Sequence, residues 1–439
     1  MSDAVKALFG TLGGPLLVLV GLYFMNLSLR IMGIDAEPVF ALVIALTPLW
    51  LPFVLFYLFY DNWMDFVRLQ FAVENGRTTL RIKLPQEVFK SPEAMETVFN
   101  QIHNLNGPDN LWQAYIDGKV PLMFSFELVS IGGDVRFYAN VPTKKIKNLL
   151  EAQLYAQYPG IEIVEETLDY TAEIDKIGED FGCMSFHLVK KEDQEFPIKT
   201  YIDFGLDKMP KEEEKVEPMA PMLEALGAAS PNERLWIQFL VKPHGKKNFN
   251  NGHLSASPTW EKKVFAKIDQ LLGREGGSKL GPAELEQQPR LTTGERDTIT
   301  AMERNAGKYA YDTAVRWMYI AREGHFNGDT IGLINRSFSN YDILNRNGIG
   351  IRWRTDFDYN WFSDFSGKRK LKMKNDELKQ YKLRKYSNGG RSVDKTKIMT
   401  SEELATVWHI PGRSVVTPGL ARIPSSRSEA PANLPINAT

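Results

Sequence analysis

The amino-acid sequence predicts an α+β protein with an N-terminal two-helix transmembrane hairpin followed by two ferredoxin-like βαββαβ modules. Three observations lead to this prediction. Two long uncharged runs open the chain, strand and helix patterns then follow in the order βαββαβ and recur, and the final stretch is rich in proline. The predicted units are a transmembrane hairpin with an interfacial helix extension (1–70), a first module (71–170), a second module (171–366) with a helical insertion (243–308), a basic segment with a short helix (367–410), and an extended Pro/Ala/Ser-rich tail (411–439).

The two uncharged runs cover residues 7–29 and 38–60, each 23 residues long. As helices they would each reach ~34 Å, which is enough to cross a hydrocarbon core of ~30 Å. A cleaved signal peptide is disfavoured for the first run, because signal cores are only about 7–15 residues long. Two buried core helices remain an open alternative. The runs therefore predict a hairpin of two membrane-spanning helices.

The charges around the two runs predict an orientation. The short turn between the runs carries Asp35 and Glu37, whereas Lys6 precedes the pair and Arg68 and Arg77 follow it. Basic residues are concentrated on the cytoplasmic side of membrane proteins. We therefore expect the protein in the cytoplasmic (inner) membrane, with both termini and the soluble domains in the cytoplasm.

Residues 78–165 show the first βαββαβ pattern. The hairpin signal Ile131-Gly132-Gly133 separates two runs that alternate between apolar and polar residues. The predicted elements are a strand over 78–84, a helix over 91–105, strands over 122–130 and 134–141, a helix over 143–157 and a strand over 161–165. This order is that of a ferredoxin-like module.

A second copy of the pattern is predicted from residue 184 onward. Its strands are expected over 184–189, 198–204, 234–241, 309–321 and 348–353, and its helices over 218–229 and 329–340. A polar, helical insertion interrupts it. A short helix over 400–408 follows the basic segment, with Thr400 or Ser401 as its N-cap.

The charge distribution singles out one segment. The whole chain has 53 basic and 54 acidic residues, but residues 368–397 contain 12 basic and 3 acidic ones. One basic segment on an acidic body suggests a local contact site. The candidate contact residues are Lys368, Arg369, Lys370, Lys372, Lys374, Lys379, Lys382, Arg384 and Lys385.

Three interpretations of this segment stay open: a nucleic-acid contact, a contact with an acidic protein, and a solvated segment with no specific partner. Tyr381 and Tyr386 are available to stack on bases. Arg346, Arg352 and Arg354 are expected to extend the segment.

The chemistry-bearing motifs of common enzymes are missing from the sequence. No Gly-rich loop carries the Gly-Lys-Ser/Thr order of a phosphate-binding loop, no histidine pair has the helical i,i+4 spacing of a zinc site, and no Gly-x-Ser-x-Gly elbow occurs. The single cysteine, Cys183, excludes an intramolecular disulfide. We therefore predict no catalytic, cofactor-binding or metal-binding residues and no enzymatic activity, with an unrecognised enzyme as a remaining alternative.

Several stretches resemble an uncharacterised, membrane-anchored bacterial domain family from reduced-genome lineages. They are residues 150–163, 221–226, 403–411, 417–418 and 429–435. In that family the region is found beside, or fused ahead of, an ATPase of the FtsK/HerA superfamily in the type IV secretion and conjugation class.

The resemblance implies a non-catalytic, membrane-anchored component of a type IV secretion-like or DNA/protein translocation machine. It would scaffold a separate FtsK/HerA-class ATPase at the cytoplasmic face, with Trp408, His409 and Pro411 facing that ATPase. Homo-oligomerisation is a further expectation, since such ATPases are ring-shaped. The alternative is a membrane-tethered nucleic-acid-binding protein that uses residues 368–397.

Overall fold

The computed structural model describes residues 37–86, 88, 90–104, 107–208, 216–245, 257–272, 291–355, 364, 367–385, 396–412, 415, 417 and 419–423. The chain divides into two compact units, residues 1–66 and residues 67–439. Of the predicted segments, the first uncharged run and the end of the tail from residue 424 lie outside the described residues.

Helix α1 covers Glu37–Asn75 and contains Pro48 and Pro52. Within the part of the chain that the structure describes, no helix combines the length and the apolar character needed to span a membrane. The predicted transmembrane hairpin and the predicted inner-membrane location are therefore wrong. The prediction depended on the absence of charge in the two runs, and that alone does not make a membrane span.

The second unit is built on one sheet of ten strands. The strands are β1 (Arg77–Pro85), β2 (Phe124–Ile131), β3 (Asp134–Pro142), β4 (Glu162–Glu166), β5 (Phe181–Lys190), β6 (Glu233–Pro243), β7 (Ala310–Arg322), β8 (Ile349–Arg354), β9 (Lys397–Thr400) and β10 (Arg422–Ile423). The main path runs β4-β1-β3-β2-β6-β7-β5-β8, and all neighbours along it are antiparallel. Strand β9 pairs with β7, and β10 pairs with β1 in parallel.

Nine further helices accompany the sheet among the described residues. They are α2 (Pro92–Ile102), α3 (Leu111–Tyr115), α4 (Lys147–Gln157), α5 (Ala220–Gly227), α6 (Trp260–Leu271), α7 (Thr293–Ala306), α8 (Gly328–Phe338), α9 (Lys368–Lys382) and α10 (Ser401–Val407). Two 3-10 helices cover Tyr170–Glu173 and Ser339–Tyr341. Helices α6 and α7 lie within the predicted insertion.

The predicted division into two ferredoxin-like modules is wrong, because strands from both halves form one continuous sheet. Strand β2 pairs with β6 over eight residues, from Phe124–Val241 to Ile131–Arg234. One hydrophobic core extends across both halves, from Leu80 to Leu420. A free β2 edge would leave its backbone N–H and C=O groups unpaired, and pairing with β6 satisfies them. The segment predicted as a strand over 198–204 forms turns instead.

The two faces of the sheet differ in what covers them. On the helical face, alternate side chains such as Phe126, Phe137 and Trp317 join α2, α4, α5, α8 and α10 in the main core. On the opposite face, which we call the α9 face, Leu378 and Tyr381 of α9 pack on Val129, Trp236 and Met318. Because successive side chains along each strand point to opposite faces of the sheet, each face has its own core.

The segment around Gly419 is fixed to the β2–β3 hairpin. Gly132 and Gly133 form its turn with φ angles of 60° and 90°, which favour glycine. The backbone N–H of Val135 donates to the carbonyl of Gly419 at 2.8 Å. A Cβ atom at position 419 would lie 1.7 Å from the oxygen of Gly133, so this contact requires glycine.

Candidate binding surface on helix α9

The basic segment folds as helix α9 from Lys368 to Lys382. Most of its residues are straight-chain types with good helix propensity. The carboxylate of Asp364 accepts from the backbone N–H groups of Arg369 at 3.0 Å and Lys370 at 2.8 Å, so it satisfies two donors at the start of the helix. Leu378 and Tyr381, three residues apart, are buried on the sheet side. The helix is therefore amphipathic, with its exposed basic side chains on the side away from the sheet.

A row of polar side chains crosses the α9 face beneath the helix. Glu127, Gln238, Arg316 and His187 are direct cross-strand neighbours on β2, β6, β7 and β5. All four are buried. This row was not predicted from the sequence, where its only signal is a polar residue within otherwise apolar strands.

Glu127 is the centre of this row. Its carboxylate accepts from Arg384 at 3.1 and 3.2 Å, from the hydroxyl groups of Ser125 and Tyr170 at 2.7 Å each, and from Gln238 at 2.7 Å. Burial by itself would raise the pKa of Glu127, but the charge and hydrogen bonds of Arg384 outweigh it and hold the pKa below its usual value. Glu127 is therefore a buried, ionised carboxylate.

Arg384 connects the end of α9 to the sheet. It also pairs with Asp169 at 2.6 Å, and its φ angle of 50° is the one positive value among the described non-glycine residues. Arg316 donates to the carbonyl of Gln380 at 2.8 Å and lies 5.1 Å from the centre of the Tyr381 ring. Left-handed backbone at an arginine costs about 1 kcal/mol or more, so the surrounding contacts must hold it in place.

The structure divides the predicted contact residues into two groups. Arg384 and Tyr381 are buried and serve the interior, whereas the other residues are half-buried or exposed. The exposed residues are Lys368, Arg369, Lys372, Lys379 and Lys385, and the half-buried ones are Lys370, Lys374 and Lys382. Tyr386 lies outside the described residues.

Strand β8 lies beside α9 and adds to its charge. His187 joins the two elements, because its Nε2 atom lies 2.8 Å from Glu377 of α9 and its ring lies 4.8 Å from that of Trp353 on β8. Arg352 and Arg354 of β8 are exposed. Arg346 is not part of this surface, since it pairs with Asp203 at 2.8 Å. Arg354 is opposite Phe186 of the main core, so it lies on the helical face. We call the exposed residues of α9, with Arg352, the basic surface.

The residues predicted to face an ATPase lie in the core. Trp408, His409 and Pro411 are buried. The Trp408 ring lies 4.5 Å from that of Phe126. Both ring nitrogens of His409 contact oxygen acceptors, the carbonyl of Ala405 at 2.8 Å and the carboxylate of Glu217 at 2.5 Å. These residues hold the C-terminal segment in place and are not available to a partner in this structure.

Other features of the described residues offer no comparable site. No group of three or more His, Cys, Asp or Glu side chains there is arranged to hold a metal ion. Burial raises the pKa of the Cys183 thiol to about 12, which makes it a poor nucleophile. A cleft of about 410 Å³ between α5 and α8 is lined mainly by apolar groups, including Pro221, Ala225 and Leu333. The basic surface is therefore the candidate site.

Comparison with known proteins gives a family and no function. No curated protein and no solved structure shows significant similarity to the chain. A domain of unknown function, DUF8128, matches residues 67–422, which include every strand of the sheet up to the first residue of β10. The chain belongs to the family of this domain of unknown function, DUF8128.

Proposed function

We propose that this protein is a non-enzymatic component of a type IV secretion-like or DNA/protein translocation machine, and that its basic surface binds a separate FtsK/HerA-class ATPase. The class of machine and the ATPase come from the family resemblance of residues 150–163, 221–226 and 403–411. The structure supports a different contact from the one that the resemblance implied, because Trp408, His409 and Pro411 are buried. The basic surface takes their place.

One observation carries this proposal: α9 presents charge on one side while its other side is fixed in the interior. The helix contains seven basic and two acidic residues. No ion pair within the described residues involves Lys368, Lys372, Lys379 or Lys385. Such a concentration of uncompensated charge attracts an acidic surface and accelerates association with it.

The way α9 is held also favours binding. Leu378 and Tyr381 pack in the second core, Arg384 is paired with Glu127 and Asp169, and Asn375 exchanges hydrogen bonds with the backbone of Ile177 at 2.9 and 3.1 Å. A helix that is already ordered pays little further backbone entropy when it binds. The spacing of its lysines is therefore fixed before a partner binds.

The titratable groups nearest the basic surface serve packing. Glu127 is enclosed by four side-chain donors, and His187 lies between Glu377 and Trp353. A catalytic acid or base needs access to a substrate proton. These enclosed contacts support a binding role for the basic surface over a catalytic one.

The experiment compares a charge-reversal variant with a matched control. The test variant carries Lys368→Glu, Lys372→Glu and Lys379→Glu on α9, and the control carries Lys144→Glu, Lys208→Glu and Lys262→Glu at exposed positions elsewhere. The probes are poly-glutamate and a duplex DNA, titrated by fluorescence anisotropy at several salt concentrations. We also expect an ATPase to co-purify with the wild-type protein and the control, and to be lost with the test variant.

Poly-glutamate affinity that falls at least about tenfold in the test variant and stays unchanged in the control agrees with the proposal. Equal behaviour of both variants, or no ATPase in any co-purification, would count against it.

Nucleic-acid binding is the second candidate function. The observation that favours it is Trp353, a half-buried aromatic ring between Arg352 and Arg354 and next to α9, because single strands are bound by stacking together with phosphate contacts. The burial of Tyr381 removes the stacking residue that the sequence suggested. DNA affinity that falls steeply with salt and is lost in the α9 variant, with no poly-glutamate binding, would select this function.

A further inference from the structure

The two ends of the main sheet path are edge strands of opposite charge. At one end β4 has the sequence Glu-Ile-Val-Glu-Glu, and at the other β8 has Ile-Gly-Ile-Arg-Trp-Arg. Within the described residues β4 pairs only with β1, and β8 pairs only with β5. Each edge therefore offers backbone groups to a further strand.

The outward backbone groups of β8 follow from its pairing. Bonded and non-bonded residue pairs alternate in an antiparallel ladder. The N–H of Lys191 donates to the carbonyl of Gly348 at 3.0 Å, so the pairs that contain Ile349 and Ile351 are the non-bonded ones. The N–H and C=O groups of Ile349 and Ile351 therefore point away from β5. The N–H of Ile349 already donates to Asp342 Oδ1 at 3.1 Å, so both groups of Ile351 and the carbonyl of Ile349 face a further strand.

The outward backbone groups of β4 also follow from its pairing. The N–H of Thr143 donates to the carbonyl of Gly76 at 3.3 Å, and the β1–β3 ladder continues in that register. Alternation then directs Thr79, Arg81 and Lys83 of β1 towards β4. The backbone groups of Ile163 and Glu165 are left to point outward.

We infer that β4 of one copy of this protein pairs with β8 of another, which extends the sheet from copy to copy. The eight strands of the main path are all antiparallel, so β4 and β8 run in opposite directions. A second copy in the same orientation therefore brings its β4 antiparallel to β8, with the helical faces on the same side.

One register aligns the outward groups, apart from the already bonded N–H of Ile349, and it also aligns the side chains. When Ile163 is opposite Ile351, Glu165 is opposite Ile349 and Glu162 is opposite Arg352. Ile163 packs beside the main core and Ile351 lies opposite Leu188 of that core, so the two isoleucines meet on the helical face. Ile351 is 46% exposed in the single chain, and the second copy would cover it.

The charges make the contact head-to-tail. Two β8 edges would bring arginines together, and two β4 edges would bring glutamates together, so pairing of like edges is disfavoured. Glu162, Glu165 and Glu166 already pair with Lys83, Lys147 and Arg81 in their own chain, and these exposed pairs leave carboxylate lone pairs for a further donor. A head-to-tail contact closes into a ring or continues as an open assembly, depending on the rotation that relates one copy to the next.

Two proline variants test this inference. Ile351→Pro removes one outward N–H from β8, and Glu165→Pro removes one from β4. By the alternation of the ladders, neither change removes a hydrogen bond between strands of the described sheet. We expect the wild-type mass to rise above 49.9 kDa in sedimentation velocity at up to about 100 µM. Each proline variant alone stays monomeric, whereas an equimolar mixture forms a one-to-one dimer through the two intact edges.

Charge exchange provides an independent measurement if a proline variant fails to fold. Arg352→Glu and Glu162→Arg should each weaken association by roughly tenfold, and the two together in one chain should restore it. A wild-type chain that remains monomeric, proline variants that associate like wild type, or a mixture without dimers would overturn the inference. The triple lysine variant of α9 keeps this association, so failure here is separate from failure of the proposed function.

Discussion

Exchange of Glu127 for glutamine removes one buried charge with almost no change in side-chain volume. The carboxylate is fully buried and accepts two hydrogen bonds from Arg384, whose guanidinium also pairs with Asp169 at 2.6 Å. Removal of one partner from a buried ion pair destabilises by about 3–5 kcal/mol. Because Asp169 remains as a counter-charge, we expect a loss of about 3 kcal/mol, at the lower end of that range.

Urea unfolding followed by circular dichroism measures this loss, and hydrogen exchange locates it. The amides of α9 should lose protection before those of β6 and β7, since Arg384 connects the helix to the sheet. Glu179→Gln, which removes an exposed partner of Lys176, is the control and should leave the unfolding midpoint unchanged.

The double variant Glu127→Gln/Arg384→Met tests the same ion pair, because neither replacement side chain is charged. The arginine charge that Glu127→Gln leaves without its carboxylate partner is then absent. The double variant should be more stable than Glu127→Gln alone. A loss below about 1 kcal/mol in Glu127→Gln would refute the view that this ion pair holds α9 on the sheet.

Three further predictions concern the whole fold. The pKa values of Glu127 and Asp169 are lowered in the folded protein, so the unfolded chain binds protons first as the pH falls. The free energy of unfolding should therefore be constant near neutral pH and decline below about pH 4.5. Urea midpoints measured across this pH range check the prediction. Trp408→Ala should destabilise by about 3–5 kcal/mol in the same assay, whereas Trp112→Ala, at an exposed position, should change little. Gly419→Ala should lower the thermal midpoint because its Cβ meets the Gly133 oxygen, whereas Gly332→Ala, with open space around it, should raise it slightly.

Local patterns in the sequence predicted most of the elements. The turn at Gly132-Gly133, the strands on either side of it, and the helices over 92–102 and 147–157 form where apolar periodicity and turn residues indicated. Thr400, one of the two predicted N-caps, caps α10 in a capping box with Glu403. These features depend on neighbours within a few residues, which a sequence displays directly.

Long-range pairing was not predictable in this way. The β2–β6 ladder joins residues more than 100 positions apart, and the sequence of neither strand identifies the strand with which it pairs. The basic segment shows the same limit. Its charge was evident, but the burial of Arg384 depends on Glu127, which is 257 positions away in the sequence. The role of this segment as a contact surface therefore stays a prediction, and one of its predicted members, Arg384, is buried.

The last described residues complete structures that begin at the first strand. Strand β10 pairs Arg422 with Leu84 of β1, and the whole of α10 is buried among elements made much earlier. During synthesis, the core around Trp408 stays unfilled until the residues of α10 have been made. Folding therefore depends on contacts of very large sequence separation, which form slowly. Until α10 has been made, a nascent chain would expose the apolar side chains that α10 and Trp408 cover, and such exposed surfaces favour aggregation.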